Sequence, residues 1–411
     1  MSSSLRFCMI TTFYPPYSFG GDAVFVQQLS HELARRGHEV EVIHCADAYR
    51  ALAGAEPASS GTESSGVTVH RLRSGLGIIS PLATQQTGLP ILKARTIRAL
   101  LGRGFDVVHY HNMSLIGDLG LDRSLAPVTL QTLHEYWWVC PTHMLFKYDR
   151  EPCTRKRCVP CTLVHRRPPQ FWRWLGGLRR SADRVDTFIT ASRFARDKHA
   201  EMGFERPIEV LPYFTTRGAA AAPAPPVTPL AKPYFLFVGR LERVKGLQTL
   251  IPLFRRYARA RLVVAGTGSY EATLRRMAEG AGEITFLGHQ SGDQLGQLYA
   301  NAVALIVPSV WYEVFGLVII EAFAHGTPAI VRNIGGMPEI IEDSGGGFVY
   351  DTEEELVARM DALQDEPELR RARGQAGYQA LRLRWSADAH IERYMTLIQA
   401  ARGQRSQRTW G

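Results

Sequence analysis

Residues 5–12 read Leu-Arg-Phe-Cys-Met-Ile-Thr-Thr, an apolar run broken by one charge, the mark of a strand covered on both faces. The turn Phe13-Tyr14-Pro15-Pro16 and the pair Gly20-Gly21 follow. Apolar positions then recur at helical spacing over 23–36, and Gly37 stands where a helix C-terminus favours a left-handed residue. Residues 39–45 predict the next strand. Strand, crossover helix and strand in that order imply a parallel sheet. Residues 106–111 and 128–134 predict two more buried strands, ending near His111 and His134. Open α/β sheets bind ligands at the carboxyl ends of their strands, so both histidines are cleft candidates. Residues 187–191 and 208–212 continue the series. The stretch 48–66, rich in Ala, Ser, Gly and Glu, reads as a loop.

Residues 218–232 are Ala- and Pro-rich with no apolar period, and read as a linker. Beyond them a second series predicts strands at 234–238, 260–265, 283–287, 303–308 and 328–331. The expected fold class is therefore α/β, with two doubly wound Rossmann-like domains, 1–217 and 233–385, facing across a cleft. A final helical pattern, 386–402, is expected to cross back to the first domain, and 403–411 to fray.

Composition narrows the function classes. The 411 residues suit two domains, and 45% hydrophobic with 21% charged residues suits a globular enzyme. The first ten residues are too short and polar for a signal peptide, and no stretch has the apolar length to span a bilayer, so the expected compartment is the cytoplasm. The net charge of +9 is lopsided: residues 1–230 hold 27 Lys and Arg against 19 Asp and Glu, and the remainder 21 against 20. A basic first half favours an anionic partner. No zinc-finger, RNA-binding or helix-turn-helix pattern accompanies the charge, so nucleic acid is not expected.

The chemistry concentrates in Pro308-Ser309-Val310-Trp311-Tyr312-Glu313-Val314-Phe315-Gly316-Leu317-Val318-Ile319-Ile320-Glu321. On one continuous helix the two glutamates would point roughly 80° apart. Pro308, Ser309 and Gly316 predict instead a loop carrying Glu313, then a helix carrying Glu321. The amides near Phe315, Gly316 and Leu317 would then be unpaired and would face an anion. A lone Glu pair reads first as a capping or salt-bridged residue beside an apolar helix. Phe315-Gly316 between the glutamates, and the motifs downstream, turn the reading to a ligand site.

Those motifs are Gly20-Gly21, Val238-Gly239-Arg240 with Lys245-Gly246, Gly266-Thr267-Gly268, Leu287-Gly288, Ala324-His325-Gly326-Thr327-Pro328, and Gly335-Gly336 with Glu339. In this order and spacing, nearly end to end, the chain resembles the retaining family 4 glycosyltransferases of the GT-B fold. The resemblance implies that Glu313 contacts the donor sugar and Glu321 the nucleotide ribose. It places Arg240 and Lys245 on the donor diphosphate, where cations stabilise a leaving group that gains charge. Gly21 would let backbone approach that diphosphate, and His134 would touch the sugar near the reacting carbon. The implied reaction moves a sugar from a nucleotide-diphosphate sugar to an acceptor hydroxyl, on a lipid-linked or polysaccharide acceptor, with no cofactor needed for the chemistry. An Asp-x-Asp motif, a Walker loop and a full dinucleotide fingerprint are absent. A non-catalytic nucleotide-sugar-binding partner and an epimerase of the same fold are the competing classes.

Two features stand outside that pattern. Cys140, Cys153, Cys158 and Cys161 form C-x12-C-x4-C-x2-C within the long connection 136–180. A structural zinc, ordinary reduced thiols, and a disulfide or iron–sulfur arrangement all remain open. In 165–180 aromatic residues interleave with arginines. Such a stretch either lies on an anionic membrane, making the protein peripheral on its inner face, or packs its tryptophans into the core.

Overall fold

The computed structural model describes residues 4–57, 66–118, 126–216, 233–290 and 292–408. In chain order the first half carries β1 (Arg6–Thr11), β2 (Glu39–Cys45), β3 (Val67–Leu72), β4 (Val107–Tyr110) and β5 (Val128–Thr132). A small hairpin, β6 (Phe146–Lys147) and β7 (Glu151–Pro152), precedes β8 (Thr187–Thr190) and β9 (Ile208–Val210). The second half carries β10 (Tyr234–Val238), β11 (Arg261–Ala265), β12 (Ile284–Gly288), β13 (Ala304–Val307), β14 (Ala329–Arg332) and β15 (Gly347–Tyr350). One sheet has the order β3-β2-β1-β4-β5-β8-β9 and the other β12-β11-β10-β13-β14-β15. Neighbours in both are parallel. The winding reverses between β1 and β4 and again between β10 and β13, which opens a crevice at the carboxyl ends there.

The sheets are parallel and doubly wound, as the apolar strand runs predict. The strands β3 and β15 and the β6–β7 hairpin were not legible in the sequence. Residues 48–66 depart from the expected loop, because Ala46–Ala53 is a helix with Asp47 in its first turn and Gly54 closing it at φ 73°. Left-handed glycine ends a helix without Cβ strain. Residues 58–65 of that stretch, and the linker 218–232, lie outside the described residues. The last helix, Ala387–Arg408, continues through part of the expected tail. Arg405 anchors it by donating to the carbonyls of Ala126 and Pro127 at 2.6 and 2.9 Å.

This last helix follows the second sheet but lies against the first. Tyr394 Oη is 2.8 Å from His109 Nδ1, and His390 Nδ1 is 2.8 Å from the Pro212 carbonyl. An aromatic chain joins the halves: Phe25 packs on Tyr213 at 4.4 Å, Tyr213 meets Phe315 edge-on at 5.3 Å, and Phe315 reaches Trp385 at 6.5 Å. Rings packed this way bury large apolar area and hold their partners in fixed orientation. Among the described residues no helix is long and apolar enough to cross a membrane.

Candidate active site

The site is assembled by loops leaving β1, β5, β9, β10, β13 and β14. Gly246 has φ 78°, and a Cβ there would fall 1.9 Å from the Pro308 carbonyl oxygen. Only glycine permits both the conformation and the approach. Val310 N–H donates to the Val244 carbonyl at 2.9 Å across the same contact. The loop after β10 is thereby laid on the loop after β13, and Lys245 Nζ donates to Glu313 Oε1 at 2.6 Å. Ser309 Oγ donates to the same oxygen at 2.7 Å.

Glu313 is held from behind as well. Gly336 N–H donates to its carbonyl at 2.7 Å, and a Cβ on Gly335 would meet its amide nitrogen at 2.5 Å. Ser192, from the first half, donates through Oγ to the Val314 carbonyl at 2.6 Å. Glu339 accepts from the Arg193 and Phe194 amides, so it caps a helix of the opposite half. Burial pushes the Glu313 carboxyl up, but the Lys245 ammonium and the hydrogen bonds from Lys245 and Ser309 outweigh it and hold it below the usual carboxylate range. Glu313 is thus an ionised acceptor fixed in place.

Two helices begin at the crevice from opposite sides. Gly21–Arg35 starts after Gly20, and Leu317–Ala324 starts after Gly316. Neither start has a side-chain cap. A Cβ on Gly21 would lie 3.2 Å from Leu317 Cδ1, so the start of one helix packs against the first side chain of the other. Each brings unpaired amides and the positive end of a helix dipole, an arrangement suited to phosphate.

Glu321 sits one turn into its helix, buried, and accepts from Tyr299 Oη at 3.1 Å. Phe315 is buried against Tyr213, so its ring belongs to the interdomain packing. Arg240 is half-exposed and its guanidinium turns to Glu242 at 2.7 Å rather than to Lys245 or Glu313.

His134 lies between His111 and Tyr213. Its Nε2 is 2.9 Å from His111 Nδ1 and its Nδ1 is 2.5 Å from Tyr213 Oη. Burial lowers its pKa against smaller opposing effects of Asp22 and Glu135. Burial also holds His111 neutral, reinforced by His109 and His134. Both ring nitrogens of His134 are engaged, whereas His111 Nε2 is buried without a partner among the described residues. The atom left for a further ligand is therefore on His111, the less prominent of the two in the sequence. Tyr213, Ser309 and Ser192 were not singled out as site residues. Tyr213 follows β9 and Ser192 follows β8, and carboxyl-end position alone would have marked both.

The four clustered cysteines line one cavity of ≈ 20 Å³, room for about one water-sized body. None is in a disulfide. Tyr148 N–H donates to Cys161 Sγ at 3.4 Å, and Cys153 Sγ donates to the Arg155 carbonyl at 3.5 Å. Burial, then the neighbouring cysteines, push the Cys153 thiol up to about 11. Among the described residues no three His, Cys, Asp or Glu stand close enough to hold an ion. The four cysteines share the cavity without forming a closed tetrahedral set.

Comparison with known proteins agrees with this architecture. The family model for Glycosyltransferase Family 4 matches residues 19–215, and that for glycosyl transferases group 1 matches 221–380. A D-inositol 3-phosphate glycosyltransferase of Mycolicibacterium smegmatis is 30% identical over 350 residues, 81% of this chain and 75% of its own. An uncharacterized glycosyltransferase of Methanocaldococcus jannaschii is 40% identical over 130 residues, 30% of this chain, and the match spans only 33% of that relative's length. The crystal structure of Anabaena HepE in complex with UDP superposes with a TM-score of 0.64 at 15% identity, covering 96% of this chain and 100% of that one. The chain belongs to the family 4 glycosyltransferases and has their GT-B fold.

Proposed function

We propose that the protein transfers a sugar from a nucleotide-diphosphate sugar to an acceptor hydroxyl with retention of anomeric configuration. The observation that supports the donor side of this reading is the approach of two uncapped helix starts, at Gly21 and Leu317, beside the Lys245–Glu313 pair; retention rests on the family resemblance alone. Amides, dipoles and an ammonium converge where a departing diphosphate gathers charge, so they favour the transition state over the ground state. Glu313 orients the sugar without acting as a nucleophile, and Glu321 holds the ribose. Arg240 joins Lys245 on the diphosphate by swinging from Glu242. The acceptor hydroxyl attacks the face the diphosphate leaves, and a donor phosphate oxygen takes its proton. His134 and neutral His111 line the sugar pocket. The transferred group is a hexose, and the acceptor a lipid-linked or polysaccharide glycan of the cell surface, built at the cytoplasmic face of the membrane.

For the cysteine quartet we propose a structural zinc, supported by the shared cavity and by a segment poor in regular structure. Binding would draw the sulfurs inward and lower their pKa. The metal takes no part in transfer.

The test is donor turnover. UDP-, GDP- and ADP-sugars are screened by thermal shift, then release of nucleoside diphosphate is followed with a glycan acceptor and the product anomer read by NMR. A donor should raise the melting temperature, because it binds only the native state. No shift and no release with any donor would remove the enzymatic reading; an inverted product would remove only retention.

A further inference from the structure

Among the described residues, seventeen large hydrophobic side chains are exposed, and thirteen of them fall in two segments, 76–92 and 159–175. The first is the loop and helix around Ile79–Thr87, where Leu76, Ile78, Ile79 and Leu82 are each more than half exposed. The second ends in a short 3-10 turn, Phe171–Leu175, where Phe171, Trp174 and Leu175 are 62%, 56% and 74% exposed.

The segments are distant in sequence, Gln85 and Trp172 being 87 residues apart, and adjacent in space. Trp172 joins them: its Nε1 donates to the Gln85 carbonyl at 3.0 Å, and its ring lies against Gly88, where a Cβ would fall 2.7 Å away. Arg173 locks the joint, with its guanidinium 4.9 Å from the Trp137 ring and 5.4 Å from Trp172. The aromatic–arginine stretch read in the sequence is thus divided. Trp172 and Arg173 pack inward, while Phe171, Trp174 and Leu175 project. A contiguous apolar face on a folded chain marks an interaction surface.

Charge selects the partner. Residues 64–105 hold six Lys and Arg and residues 152–182 hold eight, and neither stretch contains a single Asp or Glu; Arg73, Lys93 and Arg103 are paired with Glu56, Asp47 and Glu41 from outside them. Arg95, Arg98, Arg166, Arg179 and Arg180 are exposed there. Projecting aliphatic and aromatic side chains among unopposed arginines match a bilayer with anionic headgroups, where rings and chains enter the interface and guanidinium groups meet phosphates. We propose that these two segments form one docking face for an anionic lipid bilayer. The proposal deepens the acceptor side of the function proposed above and rests on it only for its purpose, which is to bring the cleft to a membrane-borne glycan.

Flotation of the full chain tests it, using phosphatidylcholine vesicles with and without phosphatidylglycerol. Protein should float with the anionic vesicles at low salt, release at high salt as screening sets in, and ignore neutral vesicles. Ile78→Ser/Ile79→Ser and Trp174→Ser/Leu175→Ser should each lower the partition coefficient about tenfold or more. Circular dichroism and melting temperature of these variants should match the parent, since the side chains are exposed. No flotation at low salt, or flotation unchanged in both variants, overturns the proposal. So does a concentration-dependent dimer that covers the face while lipid binding is absent. Release of nucleoside diphosphate with a soluble acceptor should be unaffected by the variants, which separates failure of docking from failure of the catalytic reading.

Discussion

Gly21 and Leu317 open two helices from opposite halves of the chain, and the position of a Gly21 Cβ lies 3.2 Å from Leu317 Cδ1. Substituting Gly21 with leucine fills that gap and separates the two N-termini, while the helix behind it keeps its packing. Affinity for nucleoside diphosphate should fall at least about tenfold, roughly 1.4 kcal/mol, with a near-native melting temperature. Calorimetric titration measures it. Unchanged affinity would mean the two helix starts do not share an anion.

Lys245 and Glu313 make a second checkable pair. The side chains are 23% and 13% exposed, so solvent screens them only in part. Lys245→Met leaves the carboxylate without its cation and should cost about 1–3 kcal/mol of stability. Adding Glu313→Gln removes the stranded charge and should return most of that loss, although turnover stays low. Lys245→Ala should itself cost on the order of 2–4 kcal/mol in transition-state stabilisation. Strictly additive stabilities in the double-variant cycle would show that the pair does not interact.

The two glutamates should separate kinetically. Glu321→Ala removes the acceptor of Tyr299 from a helix buried behind the crevice and should raise the dissociation constant for nucleoside diphosphate. Glu313→Gln should lower kcat with a smaller change in that constant. Equal minor effects from both changes would sink the assignment.

The double winding was legible because parallel strands buried on both faces leave near-continuous apolar runs, as in 5–12 and 234–238. The Glu313 loop and the Glu321 helix were legible from Pro308 and Gly316, which break periodicity at fixed places. What the sequence hid is set by long-range contact. Nothing local marks Gly246 as the residue that admits the Pro308 carbonyl, or Tyr213 as a partner of His134. The helix at 46–53 was missed because its Ala- and Gly-rich surroundings resemble a loop. The apolar face at 76–92 was missed because an exposed Ile78 or Leu82 reads as core until burial is known.

The cysteine segment carries an independent test. All five non-glycine residues with left-handed φ among the described residues lie between His143 and Arg166. Each such conformation costs on the order of 1–3 kcal/mol unless the surroundings enforce it, and a metal would supply that enforcement. Purified protein should carry about one zinc per chain, and chelation should lower the melting temperature and expose Cys140, Cys153, Cys158 and Cys161 to thiol reagents. Elemental analysis without metal, with all four thiols reactive in the native protein, decides for ordinary reduced cysteines.

Acid should destabilise the fold well above the carboxylate range. His44, His109, His111, His199 and His390 are buried. Burial lowers every one of them, to about 3 for His44, to about 4 for His199 and His390, and well below the usual value for His109 and His111. In the unfolded chain these rings take up protons below about pH 6.5. The native state binds fewer protons than the unfolded state between that value and its own lowered pKa, so stability falls as pH falls through this window. At pH 5.5 one such histidine costs about 1.4 kcal/mol, a sizeable share of the stability of an ordinary domain, about 5–15 kcal/mol. The melting temperature should drop steadily from pH 7 to pH 5. His390→Asn, whose amide can keep the hydrogen bond to the Pro212 carbonyl, should flatten the slope by about one proton's worth. A melting temperature constant over that interval would show that these rings take up protons in the native state as readily as in the unfolded chain, with His109 Nδ1 then donating to Tyr394 Oη.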